Sequence, residues 1–170
     1  MTVRRKKIAA VRVPDLSARP FDLTVERTFA ASAAALYEAW TQGFDRWFAA
    51  PGSVLMEPQV NAVFFFETEF KHEAAPAAER HPHYGRFLRL RRDRLVEMTW
   101  VTGALGTEGA ETVVTVELKR NPPGTRLQLK HAGFPNAAAR DRHLNAWPMV
   151  LDNIDASLKG KNRTIRRRGK

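Results

Sequence analysis

His131 is the side chain best placed to do chemistry in this sequence. It falls in phase with Leu127 and Leu129 along residues 125–132, a run whose apolar positions recur every second residue, so its imidazole is expected on the inner face of a strand. A buried imidazole needs a partner at each ring nitrogen, or desolvation lowers its pKa and holds it neutral. Such a ring serves as a general base, as a hydrogen-bonding group toward a ligand, or as a satisfied core residue, and the spacing leaves all three open. Arg86 shares the parity of Leu88 and Leu90. From an inner face its guanidinium would pair with a ligand carboxylate; from a strand end it would run out to solvent. His72, His81 and His83, with Glu73 and Glu79 nearby, form the remaining cluster. They sit in a stretch interrupted by Pro76 and Pro82, with no cysteine and no helical i, i+4 spacing, so surface histidines are expected rather than a metal site. The chain has no Gly-rich phosphate loop, no Gly-x-Ser-x-Gly elbow and no metalloprotease helix motif. No cofactor is expected, and nothing in the motifs marks an enzyme.

The elements that would position these groups can be read along the chain. Residues 22–29 alternate apolar and polar, the period of a half-buried strand. Ser32 stands before an Ala-rich run as the cap of a helix over 33–42, which Gly43 would end. A second short helix is expected at 44–49, presenting Phe44, Trp47 and Phe48. Residues 60–70 read as a strand carrying Val60, Ala62, Phe64, Phe66 and Phe70 on one side, and 71–83 as a loop. Strands are expected at 84–92 and 95–102, the second with Val96, Met98 and Trp100 on one face. The turn Asn121-Pro-Pro-Gly124 joins strands over 111–119 and 125–132 into a hairpin, with Val114, Val116 and Leu118 alternating along the first. Asn136 then caps a long helix with Leu144, Trp147, Leu151, Ile154 and Leu158 as an apolar stripe, and Pro148 is expected to kink or break it. This order predicts an α+β domain: a curved antiparallel sheet of six to seven strands, two short helices after the first strand, and a long C-terminal helix across the concave face.

Composition narrows the class. The 170 residues include 16 aromatics and no cysteine, enough for a sizeable core and a bar to disulfides and thiolate chemistry. The absence of cysteine and of an apolar leader predicts a cytoplasmic protein. The net charge of +10 is concentrated at the ends. Residues 1–12 hold five bases and residues 159–170 hold seven, with no acid in either, so the 18 acids and remaining 16 bases leave the middle near neutral. The expected organisation is therefore a basic tail over 1–20, one folded domain over 21–159 and a basic tail over 160–170. Such tails are usually solvated, and weak contact with a polyanion is the function they would add.

Four stretches in this order carry a family likeness: FDLTVERTFAASAAALYEAW at 21–40, YGRFLRLRRDRLVEMTW at 84–100, GTRLQLKHAGF at 124–134 and NAWPMVLDNIDASL at 145–158. Together they resemble the START-like, or SRPBCC, superfamily with its helix-grip fold. Within it they are most similar to the homologues of the activator of heat-shock protein 90 ATPase, although the glycine usual before the last tryptophan is Ala146 here. The likeness implies a cavity between sheet and long helix that takes a hydrophobic or amphipathic small molecule. Its lining would come from Trp40, Trp47, Phe64, Phe66, Phe70, Arg86, Leu88, Met98, Trp100, Val116, Leu129, His131, Trp147 and Leu151. The same aromatic pattern reads equally as ordinary core. Relatives such as polyketide cyclases imply a second option, a cofactor-free enzyme using His131. The family name implies a third, a co-chaperone with a heat-shock ATPase as partner. Against the third, only about 20 residues precede the first strand, and the eukaryotic activators carry a further N-terminal domain.

Overall fold

The computed structural model describes residues 10–71 and 75–167, without the side chains of 161–167. Strand β1 (Phe21–Phe29) is followed by helix α1 (Ala33–Thr41) and a single 3-10 turn (Phe44–Arg46). Strands β2 (Val63–Phe70), β3 (Glu79–Arg91), β4 (Leu95–Thr102), β5 (Thr112–Asn121) and β6 (Gly124–Phe134) precede the long helix α2 (Ala137–Arg167). All neighbours pair antiparallel in one six-stranded sheet of order β1-β6-β5-β4-β3-β2, the helix-grip arrangement. No helix among the described residues is long and apolar enough to cross a membrane.

The caps form as their residue types dictate. Ser32 Oγ accepts the Ala35 N–H at 3.2 Å, and Asn136 Oδ1 accepts the Ala139 N–H at 2.8 Å, each using a donor that the first helical turn leaves unpaired. The short helix expected at 44–49 is only a 3-10 turn, because the N–H groups of Phe48 and Ala49 both fold back onto the Phe44 carbonyl. Helix α2 runs unbroken through Pro148. The proline is solvent-facing, as is Leu144, so water can reach the carbonyl that loses its helical bond. Leu144, placed in the apolar stripe from its spacing, is thus outside the core, whereas Trp147, Leu151 and Ile154 lie within it.

Strand β3 starts five residues earlier than expected, at Glu79. Pro82 is tolerated because this stretch pairs with β2 (Pro82 opposite Glu67), while pairing with β4 begins only at His83 opposite Thr102. Strand β2 starts three residues later, at Val63, after Asn61 at φ 69° has redirected the chain. A bulge between Phe87 and Arg89 then shifts the phase of β3, pairing Phe87 with Met98 but Arg89 with Glu97. Gly85 lies opposite Phe64, and a Cβ there would stand 2.1 Å from the Thr99 carbonyl oxygen and 2.4 Å from the Phe64 ring. Gly85→Ala is therefore expected to destabilise the domain by about 1–3 kcal/mol through overpacking. Urea unfolding would check it, and an unchanged midpoint would mean that both the Thr99 backbone and the Phe64 ring have room to withdraw.

Residues 10–20, expected as part of a tail, touch the sheet at several points. The Arg12 carbonyl accepts from Arg86, Arg19 donates to the Glu111 carbonyl at 2.6 Å, and Leu16 packs over Gly133. Residues 1–9 and 168–170 lie outside the described residues, as do the side chains of 161–167, and with them most of the expected basic tails.

Candidate functional site

The concave face of the sheet is filled by rings. Trp40 from α1 stands 5.1 Å from Trp47 and 6.0 Å from Trp147 of α2, centroid to centroid. Trp147 continues to Trp100 of β4 at 5.7 Å, and Trp100 to Phe66 of β2 at 5.6 Å. Phe44 closes the circuit, 5.1 Å from Phe66 and 5.8 Å from Trp40. Tilted and edge-on pairs of this kind contribute about 0.5–1.5 kcal/mol each beyond the area they bury. One aromatic cluster thus ties both helices and the 3-10 turn to the sheet.

Nine of the expected lining residues meet in this interior: Trp40, Phe64, Phe66, Met98, Trp100, Val116, Leu129, Trp147 and Leu151 are all buried in one contiguous cluster, with His131 among them. Trp47 joins at its edge, its indole N–H donating to the Ala39 carbonyl at 2.9 Å. The space between sheet and helix is occupied by these side chains. Three candidates lie elsewhere. Phe70, at the end of β2, is 54% exposed. Arg86 sits one residue out of phase with Gly85 and Phe87, bonding to the Arg12 carbonyl and to Asn61 Oδ1 rather than reaching inward. Leu88 is buried at the bulge, outside the central cluster. The expectation for Arg86 and Leu88 rested on unbroken alternation, which the bulge interrupts.

Two surface concavities adjoin the cluster. One, of about 370 Å³, lies between the 3-10 turn and the C-terminal half of α2, lined by Asp45, Arg46, Trp47, Phe48, Ala49, Asn153, Ala156 and Ser157. The other, of about 310 Å³, includes Ser32, Ala35, Ala39, Gly43, Trp47 and Leu158. Trp47 borders both. Phe48 matters more for what lies beneath it: its ring stacks on Trp47 at 5.4 Å and on Trp100 at 6.1 Å, with interplanar angles of 17° and 18°. Phe48 therefore lines the first concavity and packs against the buried Trp100.

The histidines take definite states. Trp147 Nε1–H donates to His131 Nδ1 at 3.2 Å, so that nitrogen is bare and the ring proton is on Nε2. Nε2–H in turn donates to Thr112 Oγ1 at 2.7 Å, and the Thr112 hydroxyl donates to the Trp100 carbonyl at 2.5 Å. This relay joins α2 to β6, β5 and β4 and engages both nitrogens of His131. Burial, with a smaller contribution from His143, holds the His131 pKa well below its ordinary value. His143, absent from the expected set, packs edge-on against His131 with centroids 5.0 Å apart and donates to the Ala139 carbonyl at 2.9 Å. Burial lowers its pKa too.

His83, expected at the surface, is only 8% exposed. Its ring lies flat on Phe66 at 4.7 Å, and its Nδ1 lies 3.0 Å from the His81 carbonyl. Desolvation pushes its pKa down to about 4. Alternation with Gly85 and Phe87 was the signal that places it inward. Among the described residues no group of three or more His, Asp or Glu is arranged to hold a metal; His72 and Glu73 lie outside them.

The fold has many solved relatives. Protein CV1439 from Chromobacterium violaceum is 20% identical, with 79% of this chain and 94% of that one aligned at a TM-score of 0.67. The AHSA1 protein from Silicibacter pomeroyi is 21% identical over 83% of this chain and 99% of that one, also at 0.67. CalU16 from Micromonospora echinospora is 19% identical over 86% and 82%, at 0.59. No curated protein sequence matches the chain. The sequence profile described as Activator of Hsp90 ATPase homolog 1-like protein matches residues 30–159, and the chain belongs to that family.

Proposed function

We propose that this domain is a small-molecule binding module that takes an apolar or amphipathic ligand into the aromatic cluster between sheet and α2. The observation that carries the reading is Phe48: it floors the 370 Å³ concavity and stacks directly on Trp100, so rotation of one half-buried ring would connect solvent to the cluster. Its backbone belongs to a short turn, not to the sheet, and displacing it leaves every strand pairing intact. The fully engaged His131 favours binding over chemistry at that residue.

Calorimetric titration with 2-naphthol, an uncharged bicyclic probe, is expected to saturate at one per chain with a negative heat-capacity change, the mark of apolar burial. Ala156→Trp would fill the concavity from the solvent-facing side of α2 without touching the core, and should slow association at least tenfold in stopped-flow tryptophan fluorescence. Unsaturable uptake, or an association rate indifferent to Ala156→Trp, would remove the basis of this reading.

A further inference from the structure

Three tryptophans of the cluster pack together and spend their indole donors differently. Trp47 Nε1–H donates to the Ala39 carbonyl at 2.9 Å, and Trp147 Nε1–H to His131 Nδ1 at 3.2 Å. Trp40 Nε1–H is fully buried and has no hydrogen-bond partner among the described residues. Leaving such a donor unpaired costs about 1–3 kcal/mol, and native interiors rarely carry one without a reason. Its place in the cluster supplies a reason. Trp40 and Phe48 share three ring neighbours: Phe44, at 5.8 and 6.5 Å, Trp47, at 5.1 and 5.4 Å, and Trp147, at 6.0 and 6.5 Å. A ligand that displaces Phe48 therefore meets the same three rings that surround Trp40.

We infer that Trp40 Nε1–H is the polar contact of the binding site, donating to a ligand carbonyl oxygen, so that the ligand class is an uncharged aromatic ketone. This rests on the binding function proposed above and adds its selectivity. The core residues that pack with Trp40 are hydrophobic. His131, which shares Trp147 with it, is held neutral by burial. A carboxylate or phosphate would exchange its whole hydration for one N–H, with no charge in the hydrophobic cluster to offset the loss. A hydroxyl accepts as well, but brings a donor of its own that must be satisfied in turn. A ketone oxygen only accepts, and its aromatic body covers the rings.

The test pairs 2-acetylnaphthalene with 2-isopropenylnaphthalene, which keeps the shape and replaces the carbonyl oxygen by a terminal methylene. Calorimetric titration of each probe into the wild type and into Trp40→Phe gives four affinities. The alkene is the more hydrophobic probe for either protein, so the quantity compared is the ratio of ketone to alkene affinity. That ratio should be about tenfold higher in the wild type, the worth of one buried hydrogen bond. A second readout needs no variant: with the indole resonances of the wild type assigned, the Trp40 Nε1 proton should lie further downfield with the ketone bound than with the alkene. Equal ratios in the two proteins, or the same Trp40 resonance with both probes, would overturn the role of Trp40 while leaving the binding function standing. The N–H would then be spent on the face of a neighbouring ring. Failure of both probes to bind would end both.

Discussion

His131→Leu should destabilise the domain by about 2–4 kcal/mol, the cost of leaving a buried indole N–H without a partner and a buried hydroxyl with one hydrogen bond fewer. The substitution is close to neutral in volume, so the loss is electrostatic rather than a packing defect. It strips the acceptor from Trp147 Nε1–H and the donor from Thr112 Oγ1, in a region where water has no access. For a chain of this length the melting temperature should fall by roughly 5–15 °C. Trp147→Phe made on the His131→Leu background should cost less than on the wild type, because the indole donor it removes is already orphaned. Urea unfolding of the four proteins closes the cycle. A loss below about 1 kcal/mol with no coupling would show that the relay does not fasten α2 to the sheet, and would reopen His131 as a group held ready for a reaction.

Acidification should destabilise the domain before its carboxylates titrate. His83 is lowered to about 4, and His131 and His143 are lowered too, in each case chiefly by desolvation. A histidine whose folded pKa lies below its unfolded value of about 6.5 contributes no pH dependence at alkaline pH. Below about 6.5 the unfolded chain takes up protons that the folded one refuses, so stability falls until the folded pKa is reached, near pH 4 for His83. At pH 5 each fully shielded ring costs about 2 kcal/mol, so His83 and His131 together remove about 4 kcal/mol of the 5–15 typical for a domain. Glu97 is lowered as well despite partial burial, through its bonds from Arg89 and Thr115, and its contribution is lost only as pH falls below about 4.5. The histidine loss therefore begins about two pH units higher than that of Glu97. Urea midpoints measured from pH 7 to pH 5 should fall steadily, with a shallower slope in His131→Leu. Midpoints flat down to pH 5.5 would mean that solvent reaches these rings.

The sequence reading and the structure agree wherever chemistry is local. Ser32 and Asn136 cap their helices because a short side-chain oxygen beside unpaired N–H groups acts the same in any fold. Val96, Met98 and Trp100 face inward by simple alternation, as do Leu127, Leu129 and His131, since a strand has only two faces. The family likeness, carried by four such stretches in order, was legible for the same reason.

Other features depended on what lies across space. The bulge that sends Arg86 away from the cluster follows from the register between β3 and β4, and no residue of β3 announces it alone. Pro82 looked like a breaker, yet β2 supplies a partner on one side while the other side is still unpaired at that position. That extension of β3 is also what turns His83 inward onto Phe66. Whether aromatic residues line a chamber or fill it depends on ring distances between elements far apart in sequence, Trp40 to Trp147 and Trp100 to Trp147 among them. Residue types and their period determine which face a side chain takes; only the packed structure decides which hydrogen-bonding atoms are spent there, and Trp147 Nε1–H engaged by His131 beside Trp40 Nε1–H without a partner among the described residues is that difference.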